Sequence, residues 1–133
     1  MREEAKWWID DAYRSFEIAR ENYTRGFYEV TVFYCQQTLE KLFKGSIIAL
    51  KKGRPIKTHK LIRLYNKVAQ IVPLSDDLTD FLHIVSPYYF TSRYPDIAMG
   101  LPIEVITKDF AVDCIKKTGR ILQCFKKKLS KEK

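Results

Sequence analysis

Cysteine and histidine are scarce in this sequence. The three cysteines, Cys35, Cys114 and Cys124, are an odd number and lack the spacing of metal ligands or of a CxxC motif. Scattered cysteines of this kind are typical of reduced side chains in a core, so we expect no disulfide framework, no metal and no cofactor. Only His59 and His83 are available for acid–base chemistry near neutral pH.

The motifs of several enzyme classes are missing as well. The chain has no glycine-rich phosphate loop, no Gly-x-Ser-x-Gly and no His-Glu-x-x-His, so we do not expect a kinase or a familiar hydrolase. Apolar stretches are interrupted by charged or amide side chains every few residues, and the chain opens with Met1, Arg2, Glu3 and Glu4. We therefore expect neither a membrane span nor a signal peptide, and a cytoplasmic protein.

Acidic residues are absent from one segment of a chain whose formal net charge is +8. Between Lys41 and Lys67 there are nine basic residues and no acid: Lys41, Lys44, Lys51, Lys52, Arg54, Lys57, Lys60, Arg63 and Lys67. A further net +4 lies in the tail, residues 126–133, which we expect to fray. The acid-free segment is where we expect an anionic partner.

Apolar residues recur at steps of three and four, which predicts helices over residues 3–23, 27–52 and 107–129. Thr58 is predicted to cap a third helix that runs to Pro73, and Ser75 a fourth that includes Tyr89. The inward positions of the third helix are Leu61, Tyr65, Val68, Ala69 and Val72. The second helix is apolar except for a polar stripe that comprises Gln36, Gln37, Glu40, Lys41 and Lys44.

Turn-forming residues fill 90–102 and predict one substantial loop. No stretch alternates at period two, so no strands are predicted. The pattern therefore predicts one all-α domain, residues 1–133, built as an up-and-down bundle of about five helices.

Two clusters of side chains could carry chemistry. Arg54 and His59 are separated by four residues, a spacing that allows the guanidinium to grip a phosphate while the imidazole moves a proton, although chance or helix capping also explains it. Arg93, Tyr94 and Asp96 offer an anion ligand, a stacking ring and a carboxylate, or else an ion pair that stiffens a proline turn.

Together these segments resemble the HEPN domains (higher eukaryote and prokaryote nucleotide-binding). The resemblance lies in three places: the Gln-Gln-x-x-Glu-Lys motif at residues 36–41, the Thr-His-x-Leu motif at residues 58–61, and the Arg-Tyr-Pro motif at residues 93–95. It implies an all-α bundle that usually dimerises. It also implies frequent association with a minimal nucleotidyltransferase, as its substrate-binding partner or as a toxin paired with it.

The resemblance leaves three functions open. The preferred one is a homodimeric, non-catalytic module that binds a nucleotide or RNA through Lys41, Lys44, Arg54, Lys57, His59, Lys60, Arg93, Tyr94 and Asp96. The second is a metal-independent, toxin-like ribonuclease with Arg54 and His59 as catalytic residues; toxin members have a tyrosine where this chain has Leu61. The third is a pure protein-interaction subunit that docks a nucleotidyltransferase through the polar stripe and Trp7.

Overall fold

The computed structural model describes residues 1–91 and 106–132, and within these ranges every regular element is helical. The helices, in chain order, are α1 (Glu3–Thr24), α2 (Tyr28–Lys51), α3 (Leu61–Tyr65), α4 (Asp76–Val85), α5 (Tyr88–Thr91) and α6 (Lys108–Leu129), followed by a 3-10 turn, Ser130–Glu132. The predicted all-α bundle is confirmed. No helix in the described part of the chain combines the length and apolarity needed to cross a membrane.

Helices α1 and α2 form a long antiparallel hairpin. Gly26, with a φ of +81°, makes the turn between them, in a conformation that glycine adopts without steric cost. The two helices approach closely at Gly45, where an added Cβ would lie 2.8 Å from Cγ1 of Ile9. Near the other end of the hairpin, the buried Thr31 hydroxyl donates to the carbonyl of Ala19 over 3.0 Å. The hairpin therefore fixes the register of α2, which carries most of the candidate site.

Helix α2 lies at the centre of the bundle, as its nearly continuous apolar surface predicts. Its fully buried side chains include Val32, Cys35, Leu39, Leu42 and Phe43. Helix α6 packs against it, with the rings of Phe43 and Phe125 5.4 Å apart. Helix α6 begins as predicted, because the Thr107 hydroxyl accepts a hydrogen bond from the amide of Phe110 over 3.1 Å.

The third helix is shorter than predicted. Helix α3 ends at Tyr65, and residues 66–72 continue as tight turns rather than α-helix. The Tyr65 hydroxyl stabilises these turns by donating to the Val72 carbonyl and accepting from the Leu74 amide, both over 2.8 Å. Most predicted inward residues are nevertheless buried, because turns of three to four residues keep the same side of the chain inward. Thr58 does not cap α3, since its hydroxyl accepts from the Lys60 amide in the preceding loop.

The predicted fourth helix is divided in two. Ser75 precedes α4, but its hydroxyl bonds the Asp77 carboxylate instead of capping an amide. Pro87, which lacks an amide hydrogen, follows the end of α4 at Val85, and Tyr89 belongs to the separate helix α5. The Ser86 hydroxyl, between the two helices, accepts from the Leu61 amide over 3.0 Å and so joins this junction to the start of α3.

One prediction about the ends of the helices is also corrected. Helix α2 is followed by a left-handed residue, Lys52, with a φ of 57°. The basic tail does not fray at its start, because α6 continues through Leu129, which is buried. Lys126, Lys127 and Lys128 therefore lie in the last turn of a helix.

Two of the three cysteines lie in the core, where the sequence places them. Cys35 and Cys114 are buried, Cys124 is half-buried, and all three are free. Burial raises the pKa of Cys35 to about 12 and raises that of Cys114 as well. Both buried thiols therefore stay protonated at neutral pH and do not act as nucleophiles.

Candidate functional site

A carboxylate on α2, Glu40, is the centre of a polar cluster inside the bundle. Gln36, Glu40 and Lys44 are four residues apart, so they share one face of the helix. Oε2 of Glu40 lies 3.0 Å from Nζ of Lys44, while Oε1 accepts from Nε2 of Gln36 over 3.3 Å. The Glu40 side chain is only 8% exposed, and a carboxylate so far from water requires partners of this kind.

His59 completes the cluster from the loop before α3. Its Nδ1 lies 2.9 Å from Oε1 of Glu40, and its backbone carbonyl accepts from Nε2 of Gln36 over 3.2 Å. An ionised carboxylate only accepts hydrogen bonds, so this contact requires a proton on Nδ1, and in the neutral ring Nε2 is then an acceptor. Among the described residues, Nε2 has no hydrogen-bond partner. The side chain as a whole is 49% exposed, so about half of its surface is open to solvent.

The ring of His59 is also held by an aromatic neighbour. Tyr89, on α5, stacks on it with ring centroids 3.8 Å apart and planes inclined by 16°. The hydrogen bond to Glu40 and this stacking together fix both the tautomer and the orientation of the imidazole. An imidazole held in this way is preorganised for proton transfer or for a directed hydrogen bond to a phosphate.

Lys41 and Lys44, two predicted phosphate ligands, already have carboxylate partners. Nζ of Lys41 lies 2.8 Å from the Asp11 carboxylate and donates to the Ser15 hydroxyl over 3.0 Å, which ties α2 to α1. Nζ of Lys44 lies between Glu40 and the ring of Trp8, 5.4 Å from the ring centroid. The polar stripe thus contributes to packing between helices as well as to the site.

Cations without carboxylate partners among the described residues lie at the end of α2 and on the loop that joins it to α3. The side chains of Lys51, Lys52, Arg54, Lys57 and Lys60 are exposed, and none has a carboxylate partner in the described part of the chain. Arg54 makes no hydrogen bond to His59. The loop therefore presents positive charge to solvent beside a histidine whose position is fixed from within the bundle.

The sequence as a whole matches one known family. The family model for the HEPN domain matches residues 5–129. The chain belongs to the HEPN family.

Solved structures resemble this HEPN domain over its full length. The protein TT1696 from Thermus thermophilus is 25% identical, with a TM-score of 0.84 over 96% of this chain and 100% of that one. ST0689, described as an archaeal HEPN homologue, is 29% identical, with a TM-score of 0.76 over 97% of this chain and 99% of that one. No curated protein matches the chain in sequence.

The structure of the HEPN domain brings together only some of the predicted site residues. His59 and Lys44 are joined through the two oxygens of Glu40, whereas Arg54, Lys57 and Lys60 lie in the same loop without contacting that carboxylate. Arg93, Tyr94 and Asp96 lie outside the described residues. His83 is exposed on α4. Within the described ranges it belongs to no cluster of three or more histidine, cysteine or acidic side chains.

Three side chains of the cluster were not predicted to serve His59. The sequence places Glu40 and Gln36 only in the polar stripe of α2, and Tyr89 only in the fourth helix. A signal for the first two was present, because Gln36 and Glu40 are four residues apart and so share one face of a helix that is otherwise mostly apolar. Polar groups that such a helix buries need hydrogen-bond partners from another part of the chain.

A groove elsewhere on the molecule takes no part in this cluster. It has a volume of about 690 Å³ and lies between α1 and α6, where Tyr13, Phe16 and Leu122 form part of the lining. Neither His59 nor any loop cation lines it. Its lining includes charged side chains such as Glu17, Arg20 and Lys116 but no histidine, so the groove is separate from the cluster around Glu40 and His59.

Proposed function

We propose that this HEPN domain binds the phosphates of a nucleotide or RNA on the loop between α2 and α3, with His59 as an additional ligand. The observation that carries this proposal is the set of five exposed cations over residues 51–60, without carboxylate partners among the described residues. Unpaired surface cations lose little by contacting phosphate and release the counterions that phosphates hold. Lys41 and Lys44 are left out of the phosphate surface because each is already paired.

The remaining parts of the proposal extend this surface. Arg93, Tyr94 and Asp96 stay as proposed ligands on the basis of the sequence. Family resemblance supports a homodimer that acts beside a minimal nucleotidyltransferase, and Trp7, whose side chain is 63% exposed on α1, is available for such a protein contact. In this account the domain is a binding subunit and leaves the RNA intact.

Charge reversal in the loop tests the binding proposal. We expect the double variant Lys57→Glu/Lys60→Glu to lose at least about tenfold in affinity for a labelled RNA oligonucleotide, since each phosphate contact adds to binding. Fluorescence anisotropy at low salt measures the affinity. The matched control is Lys6→Glu/Arg14→Glu, which changes the net charge equally on the exposed face of α1. Equal losses in both variants would mean that net charge, rather than this loop, governs binding.

The contact between Glu40 and His59 supports a second candidate, a metal-independent ribonuclease related to the HEPN toxins. Nε2 of His59 would accept the proton of a ribose 2′-hydroxyl while its oxygen attacks the adjacent phosphorus and the 5′-oxygen leaves with a proton from solvent. Arg54 would neutralise the charge that develops on the phosphate. The 2.9 Å contact to the carboxylate gives His59 the tautomer that this role needs.

Incubation with a labelled mixed-sequence RNA, without metal and at low and moderate salt, separates the two candidates. A ribonuclease would cleave the RNA, and both His59→Ala and Arg54→Ala would lose the cleavage while keeping the helical circular dichroism of the wild type. For the binding module we expect intact RNA with the wild type and both variants. Cleavage that survives in His59→Ala would point to a contaminating nuclease.

A further inference from the structure

Beside His59, the surface carries a short series of aromatic rings. His59 stacks on Tyr89, and Tyr89 meets the next ring, Phe90, edge to face, with centroids 4.3 Å apart and planes inclined by 72°. Phe90, on the four-residue helix α5, is 50% exposed, so half of its surface is open to solvent. We call these three residues the aromatic ladder.

Hydrogen bonds hold His59 and the segment before α5, on which the aromatic ladder is built. The hydrogen bond between the Leu61 amide and the Ser86 hydroxyl joins the start of α3 to the segment just before α5. On the other side, Gln36 and Glu40 fix the backbone and the ring of His59. Rings held in place by neighbouring structure lose little conformational entropy when a flat ligand stacks on them.

The chemistry around the ladder matches one kind of ligand. Lys60 follows His59 directly and Lys57 precedes it by two residues, and both are exposed. Exposed rings flanked by cations are the arrangement with which proteins bind single-stranded nucleic acids: the base stacks on the ring, and the cations contact the backbone. In a duplex the bases are already stacked and paired, so they present no free face to such a ring.

We propose, building on the nucleic-acid binding proposed above, that the ligand is single-stranded RNA and that one unpaired base stacks on Phe90 at the end of the aromatic ladder. The loop cations then hold the phosphates on either side of that base. The domain thereby distinguishes single strands from duplexes.

The test compares three ligands with the intact protein by fluorescence anisotropy at low salt: a ten-nucleotide single-stranded RNA, the corresponding duplex, and free nucleoside monophosphate as competitor. The key variant is Phe90→Ala. The matched control is Phe27→Ala, which removes the same side chain at similar exposure, 48%, from the turn before α2. Phe90→Trp retains a ring at the same position.

We expect Phe90→Ala to weaken binding of the single strand roughly tenfold, because stacking of one base on an aromatic side chain typically contributes that much. Phe27→Ala should bind as the wild type does, and Phe90→Trp should retain binding. The duplex should bind more weakly than the single strand and should not respond to Phe90→Ala. The monophosphate should compete only at a large molar excess.

The other outcomes separate the two proposals. Loop-dependent binding with equal affinity for single strand and duplex, unaffected by Phe90→Ala, would overturn the stacking inference and leave the phosphate surface standing. Full competition by equimolar monophosphate would assign the site to a free nucleotide instead of a strand. No binding of any of the three ligands to the wild type would overturn both proposals.

Discussion

Glu40, which was not among the residues first proposed for the candidate site, contacts three members of the cluster. One of its carboxylate oxygens faces Lys44 and the other faces both Gln36 and His59, within a side chain that is almost fully buried. Removing one member of a buried charged group leaves the others unpaired and desolvated, which costs more than the intact interaction contributes. The position of His59, in the loop before α3, therefore depends on a residue of α2.

Loss of the Glu40 charge should destabilise the fold. We expect Glu40→Gln, which preserves the shape of the side chain, to lower the free energy of unfolding by roughly 1–3 kcal/mol, because Lys44 loses its counter-charge in a poorly hydrated position. Equilibrium urea denaturation measures the change.

The matched control for Glu40→Gln is Asp113→Asn on α6. Asp113 also pairs with a lysine four residues later, over 3.1 Å, but its side chain is 46% exposed. An exposed pair of this kind contributes little, so the control should change stability by less than about 0.5 kcal/mol. Equal effects of the two substitutions would contradict a special role for the buried carboxylate.

At the scale of elements, the long helices were predictable and the short ones were not. Apolar periodicity located α1, α2 and α6 to within a few residues, because each buries a long stripe whose spacing follows the helical period. The segment after Tyr65 kept its inward residues but not its helix, since hydrogen bonds from the Tyr65 hydroxyl replace the missing helical ones. These bonds join residues only seven and nine positions apart, but apolar periodicity alone does not indicate that a tyrosine hydroxyl makes them.

The candidate site was predictable to a similar degree. Exposed cations and His59 follow from composition and sequence position, because charge and residue type are visible in the sequence. The partners of His59 come from α2 and α5, 19 residues before it in the case of Glu40, and only the packing of these elements brings them together. The aromatic ladder likewise depends on the break between α4 and α5 at Pro87, which turns Tyr89 toward His59.

At the scale of the whole molecule, the excess charge has a definite location. The segment from Lys41 to Lys67 holds nine basic residues, and the other 15 basic residues of the chain are matched by all 16 of its acidic ones. Two of the nine, Lys41 and Lys44, are paired internally, and the other seven are exposed between the end of α2 and the turns after α3. An anion that approaches this side of the domain therefore meets a concentration of positive charge beside His59.

The salt dependence of RNA binding tests this account most directly. For a single strand held by three to four phosphate contacts, the logarithm of the association constant should fall linearly with the logarithm of salt concentration, with a slope of about −2 to −3. Lys57→Glu/Lys60→Glu should make that slope shallower by at least about 1, since two contacts are removed. A slope near zero, or one that the loop variant leaves unchanged, would contradict phosphate binding at this loop.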